Sequence, residues 1–133
     1  MTSEISYEGN LRTSAIHSKS GNSIITDAPT DNHGKGEAFS PTDLVATALG
    51  SCMLTIMAII ADKHGIDFKD ADISISKIMS SKPRRIEEVV VVVKMKSASY
   101  SDDQRATLER AARNCPVALS LHPDLKQTIS FEY

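Results

Sequence analysis

The order of hydrophobic periods along the chain predicts an α+β fold. Alternating apolar runs stand at both ends and in the middle, while one long apolar segment and one amphipathic segment carry helix caps. No internal repeat or low-complexity tract interrupts this order, and 133 residues are enough for one domain, 1–133, with its own core.

Ile5 to His17 and Ser23 to Asp27 read as two strands around a Ser18–Asn22 turn, an N-terminal β-hairpin. Residues 28–39 hold Pro29, Gly34 and Gly36 without periodicity and read as a loop, of a length that in a small domain often forms a lid or binding segment. Ser40-Pro41-Thr42-Asp43 then starts a helix. Ser40 can cap, Pro41 suits the first helical position, and Asp43 can complete a capping box near the positive helix end. The first role this gives Asp43 is structural; a catalytic role is the alternative.

That helix runs to about His64, with Gly65 as the left-handed residue that ends it. Leu44, Val45, Leu49, Met53, Ile56, Ile59 and Ile60 make it apolar nearly all round, so most of its sides need cover. One small domain covers such a helix poorly, which predicts a homodimer. Leu44 to Ala61 has 18 residues without a charge, the lower edge of a membrane span. Thr47, Gly50, Ser51, Thr55 and the flanking caps favour a buried helix instead, with no membrane partner.

Asp70 to Met79 and Ile86 to Lys96 read as an antiparallel pair, and the Val89–Val93 run predicts a strand buried on both faces. Ser101 to Asn114 is a second helix with Ser101 and Gln104 as a capping box. Cys115 precedes Pro116 and is expected to cap a short helix that follows. Ile129, Phe131 and Tyr133 alternate in a closing strand.

Net charge is −2, and no basic cluster exceeds Lys82 to Arg85, which argues against a nucleic-acid or acidic-lipid partner. Met1 to Tyr7 lacks a basic-then-apolar leader pattern, so the expected location is cytoplasmic. His17, His33, His64 and His122 are scattered, and the two cysteines form no CxxC, so neither a metal nor a cofactor is expected. Met53 and Met57 read as core packing.

Two thiols remain, and by count alone such a pair reads more often as inert core than as catalytic. Cys52 lies inside the buried helix beside Gly50 and Ser51, where apolar surroundings would raise its pKa and a cation or donor would be needed to activate it. Cys115, at a helix N-terminus, is placed where N–H groups and the dipole favour a thiolate.

The run Ser40-Pro41-Thr42-Asp43-Leu44-Val45-Ala46-Thr47-Ala48-Leu49-Gly50-Ser51-Cys52 resembles the central helix of the OsmC/Ohr family, and Asn114-Cys115-Pro116-Val117 resembles its second cysteine segment. The resemblance spans most of the chain in the family's element order and is nearest the divergent OsmC-like branch. It implies an intertwined homodimer and a thiol-dependent peroxidase. In that cycle Cys52 attacks an organic or hydrogen peroxide and becomes a sulfenic acid. Cys115 then condenses with it to a disulfide, and an external dithiol reduces the bond.

Two departures accompany the resemblance. The family's best-studied hydroperoxide reductases carry a Glu ten positions before the helix cysteine, where this chain has Thr42, about 15 Å along the helix from Cys52. Asp43 and Glu37 are the candidate replacements. The family's activating arginine comes from the N-terminal region, where Arg12 is the one arginine and Lys19 a possible stand-in. Two other readings stand beside the peroxidase: a non-catalytic or redox-sensing module that binds a small hydrophobic ligand, and a structural dimer whose cysteines never meet.

Overall fold

The computed structural model describes residues 1–96 and 99–133, which form two compact units, Met1–Val45 and Ala46–Tyr133. The first unit is a three-stranded antiparallel sheet of β1 (Ser3–Gly9), β2 (Arg12–His17) and β3 (Ser23–Asp27). The single strand expected from Ile5 to His17 is thus two. Gly9, Asn10 and Leu11 all take positive φ (85°, 52° and 61°) and fold the chain back, so β1 pairs with β2. Glycine and asparagine reach that region at low cost, and they carry the leucine with them. A short 3₁₀ turn at Thr30–Asn32 follows, within the segment expected to be a loop.

Helix α1 (Pro41–Lys63) begins at the expected box: the Asp43 N–H donates to Ser40 Oγ at 3.1 Å, and the Ser40 N–H donates to Asp43 Oδ2 at 3.0 Å. It ends where Gly65 turns left-handed (φ 64°) and the Ile66 N–H returns to the Ala61 carbonyl at 2.8 Å.

In the second unit β4 (Ala71–Ser81) pairs antiparallel with β5 (Arg84–Met95), and β6 (Lys126–Glu132) pairs parallel with β5. The parallel pairing requires a crossover, supplied by α2 (Asp102–Arg113) and α3 (Pro116–Ser120). In α2 both halves of the Ser101–Gln104 capping box are formed.

The apolar core lies within this unit. Ala46, Leu49, Met53, Met57 and Ala61 recur at helical spacing along one face of α1, and Val89, Val91 and Val93 alternate on β5; all are buried. Gly50 lets sheet and helix approach: a Cβ there would stand 3.0 Å from both Ile73 Cγ2 and Ile75 Cδ1.

The valine run is fully buried on one face only. Val90 and Val92 are half-buried, and their neighbours across the ladder are Ser76, Ser74, Thr128 and Ser130. Five valines fix the strand, but flanking strands decide what covers each face. Helix α1 is likewise covered on one side; Val45, Ala48, Ser51, Thr55 and Ile59 are exposed. Its length and composition would suit a membrane span, and a third of its most apolar window is buried within the chain.

Candidate active site

Both cysteines belong to the second unit and to one apolar cluster. Cys52, on α1, is half-buried and packs against the apolar core. Cys115 is fully buried, and Cys52 packs against the same apolar cluster, near enough to act on the Cys115 thiol. Both are free thiols.

Local sequence explains how Cys115 is held. It is the N-cap of α3, with Pro116 at the first helical position, and its Sγ accepts the Ala118 N–H at 3.4 Å. That bond favours the thiolate, as the cap position predicted. Burial outweighs it, however, and pushes the Cys115 thiol up; the neighbouring Cys52 acts in the same direction. The net result reverses the sequence-based expectation for Cys115, because an α3 of five residues offers few N–H groups against complete removal from water.

The charged candidates belong to the first unit. Arg12, at the start of β2, lies opposite Asp27, at the end of β3, in the strand register. Its guanidinium grips the Asp27 carboxylate with both prongs, Nε to Oδ1 at 2.7 Å and Nη2 to Oδ2 at 2.8 Å. A weaker contact joins Arg12 Nη2 to Glu37 Oε2 at 3.4 Å. The Glu37 N–H donates to Asp27 Oδ2 at 3.0 Å, so the 28–39 segment is tied to this pair rather than left open.

Asp27 is about 1% exposed and Arg12 about 28% exposed at their side chains. The Arg12 hydrogen bonds hold the Asp27 carboxyl below the usual carboxylate range, against the opposing effect of burial. The same pair raises the already high pKa of Arg12, keeping it a cation. Arg12 also lines an open pocket of about 510 Å³ shared with Glu8, Ser14, Ile25 and Lys35.

The connecting segment is shaped for this purpose by Gly34. Its N–H donates to the Pro29 carbonyl, and a Cβ at that position would sit 1.7 Å from the Ala28 carbonyl oxygen, so only glycine fits. Downstream, the Phe39 carbonyl accepts the Asp27 N–H at 3.1 Å. These bonds place Glu37 on Arg12.

Of the two candidates for the family glutamate, Glu37 therefore contacts Arg12, whereas Asp43 is engaged with Ser40 in the cap of α1. Thr42 contacts Ser40 Oγ at 3.2 Å. Lys19 sits exposed in the Ser18–Asn22 turn, and His33 follows the 3₁₀ turn with positive φ. His17 and His122 serve their own turns, bonding Ser20 and the Asp124 N–H.

Asp27 is the member that sequence reasoning missed. Its signal was weak: an acidic residue ending an otherwise Ile-Ile-Thr strand, opposite a residue known only once the register is known. Among the described residues no group of His, Cys, Asp or Glu is arranged to hold a metal ion.

The family model for OsmC-like protein matches residues 34–130, and the chain belongs to that family. A solved structure from Psychrobacter arcticus, provisionally named an osmotic stress induced and detoxification response protein, is 48% identical. It superposes with a TM-score of 0.94, over 99% of this chain and 96% of that one. The fold recurs in an organic hydroperoxide resistance protein OsmC of Legionella pneumophila, at 14% identity and TM-score 0.80, covering 100% and 98% of the two chains. It recurs again in the organic hydroperoxide resistance protein OhrB of Bacillus subtilis, at 16% identity and TM-score 0.71, covering 99% and 98%. No curated protein matches the chain.

Proposed function

We propose that this protein is a thiol-dependent reductase of organic or hydrogen peroxides, and the observation that carries the reading is the packing of Cys52 against the apolar cluster that holds Cys115. A half-buried cysteine on the same cluster as a fully buried one suits a two-cysteine cycle. The Cys52 thiolate attacks the distal peroxide oxygen, the O–O bond breaks, and the alkoxide leaves to be protonated as an alcohol. The Cys52 sulfenic acid then condenses with the Cys115 thiol, forming the S–S bond and releasing water. An external dithiol reduces that bond and is itself oxidised.

Arg12 is the candidate for the activating cation that the family resemblance requires, with Asp27 and Glu37 fixing its orientation. A homodimer belongs to this reading. The first sheet leaves Ile5, Tyr7 and Ile24 exposed on one face, and α1 leaves Val45 and Ile59 exposed, both being surfaces that a second copy would bury. The cytoplasm, which keeps such thiols reduced between cycles, is the proposed location.

The test is intact mass and peptide mapping after one equivalent of cumene hydroperoxide without reductant. The expected product is a Cys52–Cys115 disulfide, and Cys52→Ala should lose peroxide consumption in the presence of dithiol. Unchanged mass together with wild-type turnover by Cys52→Ala would defeat the proposal. Native mass spectrometry should show a dimer.

A further inference from the structure

A groove between α1 and α2 takes no part in the chemistry proposed above. Its floor is apolar, formed by Ile56 and Ile60 of α1 and Ala111 of α2. Its volume is about 360 Å³, within the range of about 300–1,000 Å³ that small-molecule sites occupy. Ile56, Ile60 and His64 recur every fourth residue, so this wall extends about 12 Å along α1.

The rim is polar in an uneven way. Thr107 Oγ1 donates its one hydrogen to the Asp103 carbonyl and Asn114 Nδ2 gives one of its two to the Arg110 carbonyl, which leaves only a neutral amide donor there. The Arg110 guanidinium and the His64 imidazole have no side-chain partner among the described residues. No carboxylate lines the groove, and Glu109, the acid beside Arg110, accepts a hydrogen bond from the Tyr133 hydroxyl at 2.8 Å. An apolar trough with a cationic head and no internal anion is complementary to a molecule with an aliphatic tail and a single negative charge.

We infer that the α1–α2 groove binds a small aliphatic carboxylate, its chain on Ile56, Ile60 and Ala111 and its carboxylate on Arg110. Arginine suits that head because its planar fork matches a carboxylate. The inference is independent of the peroxidase reading, since the ligand needs no peroxide group and the site no thiol.

The experiment titrates the full chain, methyl-labelled at isoleucine, with octanoate and with 1-octanol, and follows the methyl resonances of Ile56 and Ile60. Octanoate is expected to move both and to bind more tightly than octanol. Arg110→Gln, an exposed change that leaves the core intact, should weaken octanoate by about fivefold, as for a solvent-exposed ion pair, and leave octanol unchanged. The preference for the acid would then vanish. Equal affinities of the wild type for both ligands, an unaltered preference in Arg110→Gln, or shifts confined to other isoleucines would each overturn the assignment. So would a change of oligomeric state in Ile60→Glu, which would make the groove an interface between copies. Peroxide turnover tests the other proposal separately.

Discussion

In Met1–Val45 the candidate side chains are charged and satisfy one another, whereas in Ala46–Tyr133 they are thiols set against apolar surroundings. The Arg12–Asp27–Glu37 cluster is organised by directional bonds: a two-pronged ion pair and a backbone N–H on the same carboxylate. The thiol pair is organised by packing, with Cys115 beneath the surface and Cys52 on a helix face continuous with the core. Directional bonds keep a cation charged and oriented. Apolar burial favours the protonated form of Cys115. The two regions should therefore respond to different perturbations.

Cutting the packing should have the largest effect. Met53 is completely buried on α1, and Met53→Ala is expected to cost about 3 kcal/mol in a denaturant titration. Filling space where none exists comes next. Gly50→Val places atoms against Ile73 and Ile75 and should destabilise by about 2 kcal/mol, with loss of the resolved Ile73 and Ile75 methyl environments.

A smaller effect separates the two roles of Cys115. Cys115→Ala removes the acceptor for the Ala118 N–H and should cost about 1 kcal/mol. Cys115→Ser keeps a cap and should recover much of that loss, while neither variant can form the disulfide. Because the folded Cys115 pKa lies above its unfolded value, its contribution is complete below the ordinary thiol range. It is lost as pH climbs through the raised value, a dependence that Cys115→Ser should flatten.

The smallest change in global stability is expected for Asp27→Asn, with the clearest local signature. The Glu37 amide should lose protection from hydrogen exchange while the amides of β5 keep theirs. The sign with pH is opposite to that of Cys115. The folded Asp27 pKa is depressed, so its contribution is present above the unfolded carboxylate range and disappears as pH falls through the folded value. Wild type and Asp27→Asn should converge in acid. Equal sensitivity of both regions to acid would remove the distinction between them.

The same contrast governs what could be read from sequence. Features that depend on neighbours in the chain were legible: Ser40 with Asp43, Ser101 with Gln104, Gly65 after α1, and Cys115 before Pro116. Each is closed by bonds spanning a few residues. Asp27 was not legible, because its partner is set by a strand register, and that register depends on the unforeseen turn at Gly9–Leu11. The net direction at Cys115 was also hidden, since the cap is local but the burial that overrides it comes from the whole unit. Half-exposure of Val90 and Val92 likewise follows from the serines and threonines beside them, which their own run cannot report.

The parallel pairing of β6 with β5 has a consequence in time. A hairpin can close as soon as its turn forms, but β6 docks only after α2 and α3 have been laid down as the crossover. Cys115 lies on that crossover, so its approach to Cys52 belongs to the slow, long-range part of folding. Cys52 on α1 and Cys115 on the crossover therefore lie on elements that only the complete fold joins. The placement of both cysteines on one cluster is thus a property of the finished topology and of no single local segment.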